Sequence, residues 1–335
     1  MEQTHRVAIL GSGSWGTALA TILPAESPIT LWSRDPQQAQ SIYTHRENLR
    51  YLPSVHLPAN IHPTADLQEA LDDADLVIFA VPSAGLREIA QAVRGIPCGD
   101  YTVLSATKGL EESTGLRMSE ILRESLNCKQ EPLVLSGPNL ALEVANRIPT
   151  ATVVAGSDPD QTKRIQELFN RSFFRVYTSS DVIGVELAGA MKNVIAIAAG
   201  ISDGMGFGDN SRAAMMTRGL AEITRLGDRM GAQTNTFLGL AGVGDLIATG
   251  NSRLSRNYRV GFSLGQGKSL DAAVSEIGQV AEGVPTTRAI HLVATKLKVE
   301  MPICSALYTA LFENVSVREA ISSLMNRPPR TEIDI

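Results

Sequence analysis

The chain has 335 residues, more than the usual size of about 100–150 residues for one compact domain, so we predict two domains. Apolar residues make up 44% of the chain and charged residues 19%, which excludes a disordered protein. The formal net charge of −5 argues against general binding to nucleic acid or to an anionic membrane. A small anionic ligand stays compatible with it.

The cysteines and histidines show no metal-binding pattern. Cys98, Cys128 and Cys304 are far apart and odd in number, so we expect reduced, inert thiols. The five histidines lack the spacing that a zinc site needs, and we predict no metal. The N-terminus carries no signal-peptide pattern, and we find no run that approaches the roughly 18 residues of a membrane span. These features predict a cytoplasmic protein.

Short apolar runs alternate with longer helix-like stretches through about residue 155, which is the pattern of a parallel sheet covered by helices. Six such strands fit an N-terminal Rossmann domain with a doubly wound parallel sheet. The predicted strands are residues 7–10, 29–32, 76–81, 101–105, 133–135 and 151–154.

The first strand runs directly into Gly11, Ser12, Gly13, Ser14, Trp15 and Gly16, followed by a good helix start. In this G-x-G-x-x-G pattern the first glycine permits a tight turn, the second lets the backbone approach a pyrophosphate, and the third lets the helix pack closely on the strand. The free N–H groups of the helix then face the phosphates. An ordinary glycine-rich turn is the alternative, but the strand–turn–helix setting favours binding of a dinucleotide.

The end of the second strand decides the choice of cofactor. Arg34 can pair with the 2′-phosphate of NADPH and Ser33 can donate a hydrogen bond, whereas Asp35 keeps NADH open. A solvated Arg-Asp turn is the alternative.

Two later loops leave the carboxyl ends of strands, where open α/β sheets bind ligands. Lys108, in the first loop, can reach a substrate carbonyl or phosphate, and Gly137, in the second, lets the backbone approach a ligand. By themselves both loops are more often plain connections, but their position favours a site.

The strand pattern stops near residue 181. We therefore predict an NAD(P)-binding domain over residues 1–180 and an all-α substrate-binding and catalytic domain over residues 181–335. A helix predicted over residues 182–198 is apolar on almost every side, so Lys192 and Asn193 are unexpected there and suggest a site. A lysine that extends to the surface along its four-carbon stem is the alternative.

Arginines recur every third residue at Arg253, Arg256 and Arg259, among hydroxyl and amide side chains. Guanidinium groups bind phosphate oxygens in a bidentate fork, so this segment predicts a phosphate anchor. A solvated basic helix face is the alternative. An RNA-binding stripe is disfavoured by the acidic chain and the single nearby aromatic residue.

The order of several motifs resembles the NAD(P)-dependent glycerol-3-phosphate dehydrogenases of the soluble bacterial type, over nearly the whole chain. The resemblance implies reversible reduction of dihydroxyacetone phosphate to sn-glycerol 3-phosphate, with NADPH/NADP or NADH/NAD, at the entry to glycerophospholipid biosynthesis. The motifs are GSGSWGTALA, VPS, ATKGLE, SGPNLALE, GAMKNVIAIAAGISDGMGFGDN, GVGDLIATG, SRN and VAEG.

The same resemblance implies the site residues. Contacts to the cofactor fall on the glycine motif (Gly11, Ser12, Gly13, Ser14, Trp15, Gly16) and on Arg34, Lys108, Ala141, Arg256, Val280 and Glu282. Contacts to the substrate fall on Lys108, Gly137, Asn139, Lys192, Asp245, Ser255, Arg256 and Asn257. Asn139 stands where the family usually has Ser or Thr, although an amide also donates hydrogen bonds.

Reduction of a carbonyl needs a proton donor for the oxygen. Four of the five histidines precede residue 63 and His291 lies outside every motif, so we expect Lys192 to be the donor, with Asp245 and Lys108 completing the catalytic group. Burial and the Lys108 cation favour the neutral amine of Lys192, whereas Asp245 limits the fall of its pKa. The expected partner is the small-molecule substrate, without nucleic acid or membrane, and a homodimer is left open. A hydroxyacid or sugar-acid dehydrogenase and a non-catalytic NAD(P) sensor are the competing classes.

Overall fold

A computed structural model of the protein describes residues 5–96, 100–126, 130–329 and 331–332. Cys98 and Cys128 lie outside the described residues, and Cys304 is a buried free thiol. The chain forms two compact units, the first from Met1–Thr107 and Met118–Val182 and the second from Lys108–Arg117 and Ile183–Ile335. The predicted division after residue 180 assigns residues 108–117 to the first domain, whereas in the structure they pack with the second unit.

The first unit is built on an eight-stranded sheet with the order β5-β2-β1-β6-β7-β8-β9-β10. Its first six members follow the usual order of a doubly wound fold, and a separate two-stranded hairpin pairs β3 with β4. The strands are β1 (Val7–Leu10), β2 (Ile29–Trp32), β3 (Glu47–Asn48), β4 (Leu52–His56), β5 (Ile61–Thr64), β6 (Leu76–Phe79), β7 (Thr102–Ser105), β8 (Leu133–Ser136), β9 (Thr150–Ala155) and β10 (Phe174–Ser179).

The six predicted strands are all present, but the sheet is larger than predicted and not entirely parallel. β9 pairs with β8 in antiparallel orientation, and β10 then runs parallel to β9. The sequence analysis missed β5, whose apolar run is interrupted by His62 and Pro63. It also missed β10 and the hairpin, since these short strands carry exposed polar side chains.

Helices cover the sheet and bury its apolar side chains. Val7, Ile9, Leu31 and Ile78 belong to one core cluster and are at most 2% exposed. The helices of this unit are α1 (Ser14–Ile22), α2 (Pro36–His45), α3 (Leu67–Leu71), α4 (Leu86–Arg94), α5 (Met118–Leu126), α6 (Ala141–Ala145) and α7 (Pro159–Phe169), with a short 3₁₀ turn at Ser83–Gly85.

The second unit is helical, as predicted. Its elements are α8 (Val182–Gly204), α9 (Asp209–Arg229), α10 (Thr234–Phe237), a π-helical turn (Leu240–Gly244), α11 (Asp245–Gly250), α12 (Arg256–Gly265), α13 (Leu270–Ile277), α14 (Gly283–Leu297), α15 (Pro302–Phe312) and α16 (Val317–Met325). By length and composition α8 could cross a membrane, which the sequence analysis did not anticipate. However, 89% of its most apolar 18-residue window is buried inside the protein, as expected of a core helix.

Glycines let α8 and α12 pack backbone against backbone. A Cβ atom at Gly200 would lie 2.1 Å from the carbonyl oxygen of Tyr258, and one at Gly261 would lie 2.0 Å from that of Ile197. Any larger residue would force the two helices apart. This close packing fixes the start of α12 relative to the middle of α8, where Lys192 and Asn193 lie.

Candidate active site and cofactor site

The glycine motif forms a tight strand–turn–helix connection in the first unit. Gly11 has a φ of +121°, and a Cβ atom there would lie 2.5 Å from the carbonyl oxygen of Ala80. A Cβ atom at Gly16 would lie 1.9 Å from the carbonyl oxygen of Gly11, so α1 can pack on β1 only with glycine at this position. Gly13, the N-cap of α1, has no other atom within 4 Å of its Cβ position and receives no side-chain cap. Open space therefore faces the helix N-terminus.

The residues between these glycines have specific partners. Ser14 Oγ donates to the carbonyl oxygen of Tyr51 at 2.6 Å. Trp15 is half-buried, and its Nε1 is a buried donor that finds no acceptor among the described residues. A buried hydrogen-bond donor without a partner is a feature that a bound ligand could satisfy.

At the end of β2, Arg34 and Asp35 have different surroundings. Arg34 is exposed, whereas the Asp35 carboxylate caps α2 by accepting from the backbone N–H of Gln37 at 3.0 Å. Asp35 also lies 3.5 Å from Arg50. Both oxygens of the Asp35 carboxylate thus have a partner within the protein.

The second predicted ligand loop follows β8 in the same unit. Gly137 lies against Thr152, and Asn139 donates to Thr152 Oγ1 at 2.9 Å while its own Oδ1 is buried without a partner among the described residues. Ala141 begins α6 and packs on the core of the first unit. The Asn139 amide therefore donates a hydrogen bond from this loop to the neighbouring strand β9.

Lys108 belongs to the second unit because residues 108–117 are tied to its helices. Arg117 forms a buried ion pair with Glu186 of α8 at 2.7 Å, and Arg288 of α14 pairs with Glu112 at 3.0 Å. A β-bridge between Leu110 and Arg117 closes the segment on itself. These contacts hold Lys108, at the start of the segment, next to α11.

Two lysines share one aspartate. Asp245, fully buried at the start of α11, accepts from Lys108 Nζ on Oδ2 at 2.6 Å and from Lys192 Nζ on Oδ1 at 2.5 Å. Lys192 Nζ also donates to Thr249 Oγ1 at 2.8 Å, and the Thr249 hydroxyl lies 3.1 Å from Asp245 Oδ1. Lys192 therefore does not extend to the surface, contrary to the alternative considered above.

The environment makes Lys192 a weak acid near neutrality. Burial disfavours the charged ammonium and, despite the opposing attraction of Asp245 and with a smaller contribution from the Lys108 cation, lowers the pKa of Lys192 to about 7. Both protonation states are therefore populated at neutral pH. A group of this kind can give a proton and take it back.

The serine, arginine and asparagine of the SRN motif lie at the N-terminus of α12. Ser255 caps the helix by accepting from the backbone N–H of Tyr258 at 3.2 Å, and Arg256 is the first helical residue and is exposed. Arg253 and Arg259 are exposed as well. A positive helix end beside a guanidinium group suits a phosphate.

Asn257 connects this motif to two other predicted segments. Its Nδ2 donates to Asn193 Oδ1 at 2.8 Å, and its Oδ1 accepts from the backbone N–H of Gly283 at 2.8 Å. Glu282, just before that N–H, interacts electrostatically with Arg256, while Val280 is largely exposed.

The structure brings the predicted residues of the second unit together in two groups. Lys108, Lys192 and Asp245, the three residues predicted to be catalytic, form one cluster. Ser255, Arg256 and Asn257 form a second group at the start of α12, and α8 carries the adjacent residues Lys192 and Asn193. Val280 and Glu282 also belong to the second unit, and the other predicted residues lie in the first unit: Gly11, Ser12, Gly13, Ser14, Trp15, Gly16, Arg34, Gly137, Asn139 and Ala141. The described residues include no group of three or more side chains that could hold a metal ion.

Sequence reasoning missed two polar residues. Thr249 follows Asp245 by four residues, one helical turn, and that spacing could have indicated a shared face. Asn48, buried beneath the glycine motif, is linked to it only by tertiary hydrogen bonds and gives no sequence signal.

Two family models match the chain in succession. The N-terminal model of NAD-dependent glycerol-3-phosphate dehydrogenase matches residues 6–162, and the C-terminal model of the same enzyme matches residues 181–322. The chain belongs to the NAD-dependent glycerol-3-phosphate dehydrogenase family. Within this family it is similar to glycerol-3-phosphate dehydrogenase [NAD(P)+] of Carboxydothermus hydrogenoformans, at 47% identity over 98% of both chains.

Solved structures of this family share the fold. The crystal structure of glycerol-3-phosphate dehydrogenase from Coxiella burnetii matches with a TM-score of 0.93 and 37% identity, over 97% of this chain and 99% of that one. The Plasmodium falciparum enzyme matches with a TM-score of 0.87 and 26% identity, over 98% of both chains. The chain therefore shares its fold with these two enzymes.

Proposed function

We propose that this protein catalyses the reversible, NAD(P)H-dependent reduction of dihydroxyacetone phosphate to sn-glycerol 3-phosphate, which supplies glycerophospholipid biosynthesis. The observation that carries this function is the buried Lys192 amine, 2.5 Å from Asp245 and with a pKa lowered to about 7, in a chain of this family. It offers a proton where carbonyl reduction needs one.

The first unit fits a nicotinamide dinucleotide. The space beside Gly13, the uncapped start of α1 and the unpartnered Nε1 of Trp15 all suit a pyrophosphate and its neighbouring sugars. When bound, the reduced nicotinamide supplies a hydride to the carbonyl carbon. Residues 1–180 would then form the NAD(P)-binding domain, with Ala141 also in contact with the cofactor and Arg256, Val280 and Glu282 contributing from residues 181–335.

Arg34 would favour NADPH, since its exposed guanidinium can meet the 2′-phosphate. The engagement of Asp35 with Gln37 and Arg50 supports that preference, because this carboxylate is less free to bind a ribose 2′-hydroxyl. NADH remains a cofactor because the rest of the dinucleotide is the same.

The phosphate of the substrate would bind at the start of α12. Arg256 would provide a charged fork, Ser255 still has a hydroxyl proton to donate, and Asn257 has a second amide proton beyond the one it gives to Asn193. Gly137 and Asn139 are also proposed to contact the substrate.

Lys192 would then complete the reaction at the substrate oxygen. As the carbonyl carbon accepts the hydride, its oxygen takes a proton from the Lys192 ammonium, so that a neutral alcohol is formed. Asp245 and Thr249 hold the amine in position, and Lys108 adds a positive charge that stabilises the developing oxyanion. In the reverse direction the neutral amine removes the proton from the alcohol.

The partners and location follow from the same function. We propose a cytoplasmic enzyme whose partner is the small-molecule substrate, with no nucleic acid and no membrane, and a homodimer stays open. A hydroxyacid dehydrogenase would share the cofactor unit, but the 47% identity to a glycerol-3-phosphate dehydrogenase over 98% of the chain favours the phosphorylated substrate.

A spectrophotometric assay tests this function. Oxidation of NADPH and of NADH is measured with purified protein after addition of dihydroxyacetone phosphate, of dihydroxyacetone without phosphate, and of 2-keto acids. We expect rapid oxidation with dihydroxyacetone phosphate and little with the others. Faster turnover of a keto acid would support the hydroxyacid class instead, and cofactor binding without any turnover would indicate a sensor.

A further inference from the structure

Asn48 is a buried hydrogen-bonding centre beneath the glycine motif. Its side chain is completely buried and makes four hydrogen bonds, two as donor and two as acceptor. Nδ2 donates to the carbonyl oxygen of Ser12 at 2.8 Å and to Thr17 Oγ1 at 2.7 Å. Oδ1 accepts from Gln38 Nε2 at 2.7 Å and from the backbone N–H of Tyr51 at 3.1 Å. One residue thus joins the glycine motif to α1, α2 and the hairpin.

The bond to Ser12 fixes the orientation of one peptide group in the motif. The peptide bonds of the described chain are trans, so the carbonyl of Ser12 and the N–H of Gly13 point in opposite directions. Asn48 draws the carbonyl into the protein interior. The N–H of Gly13 is therefore directed away from Asn48, at the glycine whose Cβ position has no neighbouring atom within 4 Å.

This orientation has an electrostatic consequence for an anionic ligand. A carbonyl oxygen that faced the open space would repel a phosphate, whereas an N–H group that faces it attracts one. The Ser14 hydroxyl, which donates to the carbonyl oxygen of Tyr51 at 2.6 Å, ties the same hairpin to the start of α1. Asn48 and Tyr51 therefore link the hairpin to the glycine motif by two hydrogen bonds, one with Ser12 and one with Ser14.

We propose that Asn48 is a positioning residue for the cofactor, which holds the Ser12–Gly13 peptide with its N–H toward the pyrophosphate. The inference rests on the proposed NAD(P) binding. Because NAD and NADP have the same pyrophosphate, Asn48 acts equally on both cofactors, unlike Arg34.

The test uses two substitutions at Asn48 and a matched control. Asn48→Asp keeps the shape and the acceptor atoms but removes both donors, and Asn48→Ala removes the whole amide. Asn60 provides the control, since its Nδ2 likewise donates two hydrogen bonds, in this case to the backbone carbonyls of Pro24 at 3.2 Å and Ser27 at 2.8 Å. These carbonyls precede β2, at the amino end of the strand and not at the glycine motif, so Asn60→Asp and Asn60→Ala remove two donated hydrogen bonds elsewhere in the same unit.

Dissociation constants of NADH and NADPH are measured by fluorescence titration of the full-length protein. The KM of dihydroxyacetone phosphate is measured at saturating cofactor, and the melting temperature of each variant is determined as well. We expect the Asn48 variants to weaken both cofactors by the same factor, at least about fivefold for a lost hydrogen bond, with an unchanged KM for substrate. The Asn60 variants should melt earlier but bind both cofactors within about twofold of the wild type.

Three results would overturn the inference: a folded Asn48 variant with normal affinity, a loss for NADPH alone, or an equal loss in the Asn60 controls. If the Asn48 variants do not fold, Gln38→Met supplies the test, since it leaves Asn48 in place and removes one bond that orients it. It should weaken both cofactors equally, and normal affinity would contradict the proposal. If the wild-type protein binds neither cofactor, the proposed function itself is overturned. This result is distinct from normal cofactor binding by an Asn48 variant, which overturns only the inference on Asn48.

Discussion

Asp245 and Lys192 form a buried ion pair in which Oδ1 and Nζ are 2.5 Å apart and the side chains are 1% and 9% exposed. Removing an ammonium from water disfavours its charge, and the carboxylate restores part of that loss. The pKa of about 7 is the outcome of these opposing effects.

The activity should depend on pH with opposite signs in the two directions. Reduction needs the charged amine of Lys192, so kcat for dihydroxyacetone phosphate should fall as pH rises through about 7. Oxidation of glycerol 3-phosphate needs the neutral amine, so its kcat should rise over the same range. Steady-state rates at saturating substrate and cofactor between pH 5.5 and about 9 test this. Parallel profiles in the two directions would contradict it.

Substitution of Asp245 and of Lys108, the two charged neighbours of Lys192, should shift the midpoint of the pH dependence of kcat in opposite directions. Asp245→Asn removes the charge that raises the pKa of Lys192, so the midpoint should shift below about 7. Lys108→Met removes a cation that lowers the pKa of Lys192, so the midpoint should shift upward. Both variants should also be slower, and each midpoint is measured by the pH dependence of the residual kcat. Shifts in the same direction would show that the profile does not report Lys192.

Arg34→Ala should weaken NADPH by about tenfold and leave NADH nearly unchanged, since only NADPH carries the 2′-phosphate. Fluorescence titration of both cofactors measures this. Arg6→Ala is a matched control, because Arg6 is an exposed arginine of the same unit that pairs with Asp73 just before β6. An equal loss of both cofactors in Arg34→Ala would rule out the assignment.

Arg256→Ala should raise the KM of dihydroxyacetone phosphate by at least about tenfold, with a smaller loss of kcat, because a charged hydrogen bond to the phosphate persists through the reaction. Arg259→Ala is the matched control, since Arg259 is also exposed on α12 but lies almost one turn further from the helix N-terminus. Steady-state kinetics with varied substrate measure both. A normal KM in Arg256→Ala would place the phosphate anchor elsewhere.

Local signals in the sequence were enough to predict a doubly wound fold and the helical second unit. Strands such as Val7–Leu10 are continuous apolar runs, and the glycine motif stands directly after one of them. Lys192 could be singled out because a charged residue is rare in a helix as apolar as α8.

Features that depend on distant contacts could not be predicted. The orientation of β9 is set by its pairing with β8, which a run of apolar residues does not encode. Lys108 follows a strand of the first unit, yet ion pairs such as that between Arg117 and Glu186 attach its segment to the second. Asn48 looks like an ordinary polar residue until the hairpin folds over the glycine motif.

Lys192 is proposed to act as both proton donor and proton acceptor, and two substitutions of it test this role. Lys192→Ala should remain folded and bind NADPH but lose at least about 100-fold in kcat, the effect of removing a general acid. Circular dichroism and cofactor titration provide the folding controls.

The most direct measurement is kcat for oxidation of glycerol 3-phosphate by Lys192→Arg. A guanidinium keeps its proton at any working pH and cannot act as the base, so we predict a loss close to that of Lys192→Ala. If Lys192 acted only through its positive charge, arginine would substitute in part. Oxidation by Lys192→Arg at a rate near that of the wild type would contradict the account.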